Sequence, residues 1–121
     1  MPSTLTIATD SGGTWFKPGE RIEGTASWHL DEDADALEVR LFWFTSGKGS
    51  PDVEVVAGKR MARPEISGSH SFEFTVPRGP YAFSGKLITL AWALELVVLP
   101  GGAAQRFDLV IGPRPVEVDL R

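Results

Sequence analysis

The two histidines are the first residues to examine for chemistry, because imidazole acts as a base or a metal ligand near neutral pH. His29 falls on the polar side of one alternating run and His70 at the start of another. Nucleophilic catalysis needs a nucleophile, a base and an orienting group, and a zinc site needs further ligands. Neither histidine has such companions, and the chain has no cysteine. We expect surface histidines, no catalytic residue, no bound metal and no enzyme activity.

Two other segments superficially suggest ligand chemistry. The acidic stretch Asp31–Asp35 offers oxygen ligands at alternate positions, but the glycine and the closing glutamate of an EF-hand are missing. Gly79–Lys86 resembles a phosphate-binding loop, yet its spacing is one residue too long and Leu87 replaces the Ser or Thr. We expect a solvated turn at the first segment, and no nucleotide or other cofactor at the second. Two acidic side chains that converge in space, as glycoside chemistry requires, remain open.

Aromatic side chains are candidates for a sugar-stacking platform. Trp28, Trp43 and Trp92 are in step with the apolar sides of their runs, which predicts core packing. Trp15 and Phe16 precede the Pro18-Gly19 turn outside any alternating run. These two are the aromatics to consider as surface anchors, and packing beneath a loop is the favoured role.

Length and charge bound the class of protein. The 121 residues predict a single domain, 1–121, and the net charge of −4 with scattered basic residues argues against nucleic acid as a partner. The start of the sequence has no signal-peptide pattern, and the longest apolar stretch, Leu87–Leu99, is interrupted and too short to span a bilayer. We expect a soluble, cytoplasmic protein with no integral membrane segment.

The elements that must position these residues are β-strands. Apolar and polar residues alternate with period two in Glu20–Leu30, Ala36–Ser46 and Ser69–Pro77, as expected for a sheet with one buried and one solvent-exposed face. Glycine and proline turn signals separate the runs. The pattern predicts an all-β, two-sheet antiparallel sandwich, with a closed barrel as the alternative. Shorter strands are predicted at Leu5–Ala8, Asp52–Val56, Arg106–Ile111 and Val116–Leu120, and the predicted core holds Trp28, Trp43, Phe72, Phe74, Leu90, Trp92 and Leu94.

The segment Phe83–Val98 is ambiguous between helix and strand. Its even-numbered positions from Ile88 to Val98 form a wholly apolar face, whereas the opposite face is small or polar. No capping residue precedes a helix at this point. We predict one long central strand.

Two segments together resemble arrestin-like domains. The first is Phe16-Lys17-Pro18-Gly19-Glu20 followed by Ile22 and Gly24; the second runs from Pro77 through Gly85 to Ile88 and on to Trp92-Ala93-Leu94-Glu95-Leu96. In their order and spacing they are similar to the arrestin N-terminal and sporulation-control-protein sandwiches. The resemblance implies an immunoglobulin- or arrestin-like sandwich and a non-enzymatic adaptor or scaffold. Those proteins carry two sandwiches and this sequence predicts one, so their interdomain features do not carry over. The positions that match the two motifs are expected to be structural, so no functional residue transfers.

Two classes of function therefore stay open. The first is a protein-interaction module, with a protein partner or self-association through a sheet edge or face. The second is a module that binds carbohydrate or lipid through a loop or the gap between the sheets. The candidate edges are Asp52–Val56 and Val116–Leu120, since each follows a proline, Pro51 or Pro115. Glu54 and Asp119 would guard these edges against indiscriminate pairing.

Overall fold

The computed structural model describes residues 3–47, 49, 51–85, 88–113 and 118–119. All regular structure in this part is β, which confirms the predicted fold class. None of it belongs to a helix long and apolar enough to cross a membrane. The strands are β1 (Thr4–Thr9), β2 (Trp15–Phe16), β3 (Arg21–His29), β4 (Ala36–Gly47), β5 (Val53–Ala62), β6 (Ser67–Thr75), β7 (Phe83–Ser84), β8 (Ile88–Leu99), β9 (Ala104–Ile111) and β10 (Val118–Asp119).

The smaller sheet has three antiparallel strands in the order β1-β3-β6. In its central strand, Ile22, Gly24 and Ala26 face inward and are buried, whereas Glu23 and Thr25 are exposed. A glycine in the middle of a strand, such as Gly24, is typical of a bulge or of a close backbone approach. Its pairing to both neighbours is regular. A Cβ at this position would lie 2.6 Å from the Ala8 carbonyl oxygen, so a close approach explains the glycine.

The larger sheet is built on β8 and β4, which pair over the whole length of both strands. On the far side of β4 lies β5, and on the far side of β8 lie β7 and β9 at successive positions. Two short parallel pairs complete the sheet, β2 with β9 and β10 with β7. The strands thus divide between two sheets, and the barrel alternative was wrong.

The core lies between the two sheets. Five of the predicted core residues are buried, Phe72, Phe74, Leu90, Trp92 and Leu94, with Trp92 fully so. The other two, Trp28 and Trp43, are only half-buried and pack against the margin of the core. The full cluster also contains Ile7, Phe16, Ile22, Ala26, Leu30, Leu37, Val39, Leu41, Val76, Ala82, Leu96, Leu109 and Ile111.

The prediction of one strand through Phe83–Val98 was partly wrong. The segment is extended and not helical, but it contains two strands, and β7 pairs antiparallel with the start of β8. The Gly85 N–H donates to the Ile88 carbonyl at 2.9 Å. The apolar face of β8 follows the prediction at Leu90, Trp92, Leu94 and Leu96, all buried, whereas Ile88 is exposed.

The Pro18-Gly19 turn joins β2 to β3. The Glu20 N–H donates to the Lys17 carbonyl at 3.0 Å, and Gly19 has a φ of 88°, which L side chains rarely adopt. Proline at the second position and a positive-φ glycine at the third are typical of a type II turn. The Gly19 N–H also donates to the Val76 carbonyl, so the turn is tied to the chain after β6.

Candidate functional site

The histidines lie at the surface and apart from other candidate catalytic groups. His29 Nδ1 contacts the Ser67 hydroxyl, and His70 Nδ1 contacts the Ser71 carbonyl at 2.7 Å. Both side chains are exposed. In the part of the chain that the structure describes, no three His, Asp or Glu side chains are grouped so as to hold a metal ion. These contacts are those of ordinary polar surface residues, His29 at the end of β3 and His70 within β6.

The acidic stretch Asp31–Asp35 forms the connection between β3 and β4. Ser3 ties it to the start of the chain, because the Ser3 hydroxyl donates to Asp31 Oδ1 at 2.9 Å and accepts from the Asp31 N–H at 3.1 Å. The stretch borders an open depression of about 580 Å³ together with Val98–Pro100. Its side chains are otherwise solvated, as a turn between strands requires.

The aromatic pair Trp15 and Phe16 forms β2 and is not a surface anchor. Phe16 is buried in the core, and Trp15 is half-buried. The Trp15 indole Nε1–H donates to the Gly112 carbonyl at 2.9 Å, and Lys17 Nζ lies 5.4 Å from the centre of its ring. Both aromatics therefore attach the β1–β3 connection to β9.

The segment that resembles a phosphate-binding loop, Gly79–Lys86, contains β7. The Pro80 carbonyl accepts a hydrogen bond from the Trp92 indole Nε1–H at 2.8 Å. Lys86 and Leu87 lie outside the described residues. The loop is thus fixed to the core through Trp92, and β-structure follows it where a phosphate-binding loop would need a helix.

The feature that stands apart is β5. Within the described residues it pairs only with β4, so its other side is a sheet edge. Eight of its ten residues are exposed, and Ala57 and Met61 are half-buried. The exposed fractions are 67% for Val53 and 48% for Val55, and these two apolar side chains lie close together on one strand. We call residues Val53–Ala62 the β5 edge.

The β5 edge continues a row of apolar side chains on the outer face of the larger sheet, in which Phe42 is buried, Phe44 is half-buried, and Val53 and Val55 are exposed. Val53 is opposite Phe44 and Val55 is opposite Phe42, so these four side chains share the face that points away from the core. The two phenyl rings lie 5.8 Å apart, and the Arg106 guanidinium lies 4.8 Å from the Phe44 ring centre. We call Phe42, Phe44, Val53 and Val55 the outer patch.

Charge is divided along the β5 edge. Glu54 lies in its first half, and Lys59 and Arg60 lie in its second half. Neither Glu54 nor Lys59 forms an ion pair within the described chain. Lys59 Nζ donates to the Ser71 carbonyl of β6 at 3.3 Å, and Arg60 Nη1 lies 4.0 Å from Glu38 Oε2. The carboxylate and the ammonium group remain available to a partner.

A groove runs between the β5 edge and β6, where the two sheets part. It has a volume of about 420 Å³, and Trp28, Met61 and Pro64 contribute its apolar lining. The Trp28 indole Nε1–H donates to the Glu65 carbonyl at 2.9 Å, which fixes the ring at this opening. Lys59 and His70 contribute polar groups.

The second predicted edge, Val116–Leu120, lies mostly outside the described residues. Its described part is β10, which pairs in parallel with β7 at the end of the larger sheet. The first predicted edge, Asp52–Val56, is confirmed in position but is much longer, because β5 continues to Ala62. This extension could not be seen in the sequence, because the pairing of β5 with β4 shifts by one residue at Val56. We call this shift the β5 bulge; beyond it, the residues of β5 that face outward change from odd-numbered to even-numbered positions. Phe42 and Phe44, on the outer face of β4, were also missed.

Comparison of the sequence with protein-family models and with curated proteins gives no match. Among solved structures, the fold is similar to that of Spo0M, the sporulation control protein from Bacillus subtilis, with a TM-score of 0.65 and 16% identity. The alignment covers 95% of this chain and 51% of Spo0M, so the chain spans about half the length of that protein. It establishes the fold, and the fold is the arrestin-like sandwich that the two sequence segments predicted.

A β-glucosidase from Listeria innocua, solved in complex with gluconolactone, shares the fold more distantly. The TM-score is 0.50 at 12% identity, over 94% of this chain and 17% of that chain. A likeness that covers so small a part of the enzyme concerns a sandwich within it and carries no catalytic residue to this chain.

Proposed function

We propose that this chain is a non-catalytic protein-interaction module, an adaptor or scaffold, that binds a protein segment at the β5 edge by strand addition. The observation that carries the proposal is the β5 edge itself: ten residues long, paired on one side among the described residues, and exposed along almost all of its length. Adding a strand satisfies the unpaired N–H and C=O groups of such an edge.

The side chains around the β5 edge favour a protein segment over other ligands. An extended segment laid along the edge would bury Val53 and Val55, whose exposure is otherwise unfavourable by about 25 cal/mol per Å² of apolar surface. Apolar side chains on the outer face of the added strand would pack beside Val53 and Val55 and so extend the outer patch. Main-chain hydrogen bonds would supply affinity, and contacts to alternate side chains would supply specificity.

The charges and the bulge of β5 also have a protective role. Charged side chains and bulges are common means by which sheet edges avoid indiscriminate pairing. Glu54, Lys59 and Arg60 would repel a strand with the wrong charge order, and the bulge at Val56 would reject a strand in the wrong register. Protection against most strands and use by one complementary strand are compatible.

Binding of a carbohydrate or lipid is the second candidate, and the groove between β5 and β6 is the observation that favours it. Trp28 offers a ring for stacking, and Met61 offers an apolar contact. The aromatic pair Trp15–Phe16, which would have supported such a site elsewhere, contributes to packing instead. Titration with sugars and with lipid vesicles, followed by tryptophan fluorescence, separates this candidate from the first, and Trp28→Phe identifies the ring involved.

Affinity capture from the native cell, followed by hydrogen exchange with the recovered protein, tests the proposal. We expect backbone amides of the β5 edge to gain protection when the partner is saturating. The variant Val55→Lys should weaken binding, whereas Thr6→Lys, an equivalent change at an exposed position of β1, should not. Unchanged exchange throughout β5 with a saturating partner would contradict strand addition at this edge.

A further inference from the structure

We propose that a second copy of this chain occupies the β5 edge, through antiparallel β5–β5 pairing about a two-fold axis that passes between Val56 and Ala57. The inference rests on the proposed use of the β5 edge and identifies the partner. This pairing would join the larger sheets of the two copies into one continuous sheet, with the central strand order β8-β4-β5-β5-β4-β8.

The charge order of β5 is complementary to itself when a second copy runs antiparallel. Glu54 lies two residues before Val56, and Lys59 lies two residues after Ala57. Rotation about the proposed axis therefore places Glu54 of each copy opposite Lys59 of the other, forming two equivalent ion pairs. Opposite charges in directly facing positions stabilise a sheet, and like charges destabilise it. A parallel, in-register copy would instead place Glu54 beside Glu54.

The bulge supports the same register by an independent argument. Directly opposite residues in an antiparallel pair point to the same face, so a regular strand can pair with its own copy only about an axis that passes through a residue. In β5 the shift at Val56 reverses the alternation. Val53 and Val55 lie on the outer face before it, and Gly58 and Arg60 lie on the outer face after it, opposite Arg40 and Glu38.

Because of this reversal, an axis that passes between two residues of β5 places side chains of the same sheet face opposite each other in the two copies. Pairing about the point between Val56 and Ala57 places Val55 opposite Gly58 and Val53 opposite Arg60, all on the outer face. The same register places Glu54 opposite Lys59, both on the other face. Shifting the axis by half a residue would match Glu54 with Arg60, and their side chains lie on opposite faces of the sheet.

The outer patch also favours a second copy. A two-fold axis perpendicular to the sheet places the outer faces of both copies on the same side. Val55 of each copy would then lie beside Gly58 of the other, where no side chain prevents close approach. The two outer patches would become one continuous apolar surface across the junction, and the exposed area of the valines would fall.

One strand pair and its side chains form a small interface, below the roughly 1,200 Å² of stable complexes. We therefore expect weak and reversible dimerisation, with a dissociation constant on the order of micromolar. Sedimentation equilibrium on the full chain, from about 1 µM to about 1 mM, should show conversion of monomer to dimer.

Charge reversal tests the register. Glu54→Lys and Lys59→Glu, each alone, place like charges opposite each other twice and should weaken dimerisation about tenfold or more. The double variant exchanges the charges and should restore it. A mixture of the two single variants should form the heterodimer in preference to either homodimer. Because Lys59 also contacts Ser71, thermal unfolding of each variant must confirm a folded chain.

The outcomes separate this inference from the proposed function. A chain that stays monomeric to about 1 mM, while a captured protein protects the β5 edge from exchange, overturns self-pairing and keeps strand addition. A dimer that neither Glu54→Lys nor Lys59→Glu weakens would contradict the proposed register and would also mean that the β5 edge is not the dimer interface. A monomer whose β5 amides exchange unchanged with every captured protein overturns both.

Discussion

Truncation of Trp92 to alanine should remove a large part of the stability of this protein. Trp92 is fully buried at the centre of β8, opposite Trp43 on β4 and Leu109 on β9. Replacing a large buried aromatic residue by alanine costs about 3–5 kcal/mol, from lost burial and from the cavity left behind. The Pro80 carbonyl would also lose its donor. A domain of this length has a total stability of about 6–18 kcal/mol.

Denaturant titration measures this loss directly. We expect Trp92→Ala to lower the midpoint strongly with little change in slope, which indicates lost stability without a change in the surface exposed on unfolding. Trp92→Phe keeps most of the packing and removes the hydrogen bond to Pro80, so its cost should be smaller, about 1–3 kcal/mol. Trp28→Ala, a matched truncation at the margin of the core, should also cost less than Trp92→Ala.

The comparison between the two tryptophans gives the refuting result. A loss below about 1 kcal/mol for Trp92→Ala would mean that the site collapses without a cavity or that Trp92 is not in the core. A larger loss for Trp28→Ala than for Trp92→Ala would contradict the placement of the core between β8 and the smaller sheet.

Two further predictions concern backbone approach and ligands. Gly24→Ala should destabilise the fold by about 1–3 kcal/mol, because its Cβ would collide with the Ala8 carbonyl and the Phe72 ring. Gly112→Ala, which meets open space, should change the thermal midpoint much less, and equal losses would refute the reasoning. Native mass spectrometry of protein purified without chelator should give the mass of the bare chain. A stoichiometric zinc or calcium adduct that survives mild dialysis would contradict this.

The alternation of apolar and polar residues predicted most of the strands, because burial of one sheet face imposes period two directly on the sequence. It could not predict how far the two sheets overlap. Trp28 and Trp43 lie on core-facing sides but are only half-buried, since side-chain direction is a local property and sheet overlap is not. Trp28 faces the groove where β5 and β6 part.

The reversal between β7 and β8 was equally hidden. Apolar residues recur from Phe83 into β8, so the sequence suggests one continuous run where the structure has β7 and β8 paired antiparallel. The end of β5 was missed for a related reason, since a one-residue bulge shifts the alternation and makes the second half look irregular. The candidate site could be placed from Pro51 and the Asp52–Val56 run, but its length and its outer patch could not.

The parallel pairing of β2 with β9 has a consequence for the order of folding. Trp15 is opposite Val110 and Phe16 is opposite Ile111, so an early segment finds its partner more than ninety residues later. Contacts of such long sequence separation slow folding, because loop closure precedes the energetic gain. During synthesis, Phe16 cannot reach its core position until Ile111 has left the ribosome. We therefore expect the nascent chain to expose this aromatic residue, and to depend on protection from aggregation, until almost the whole described domain has been made.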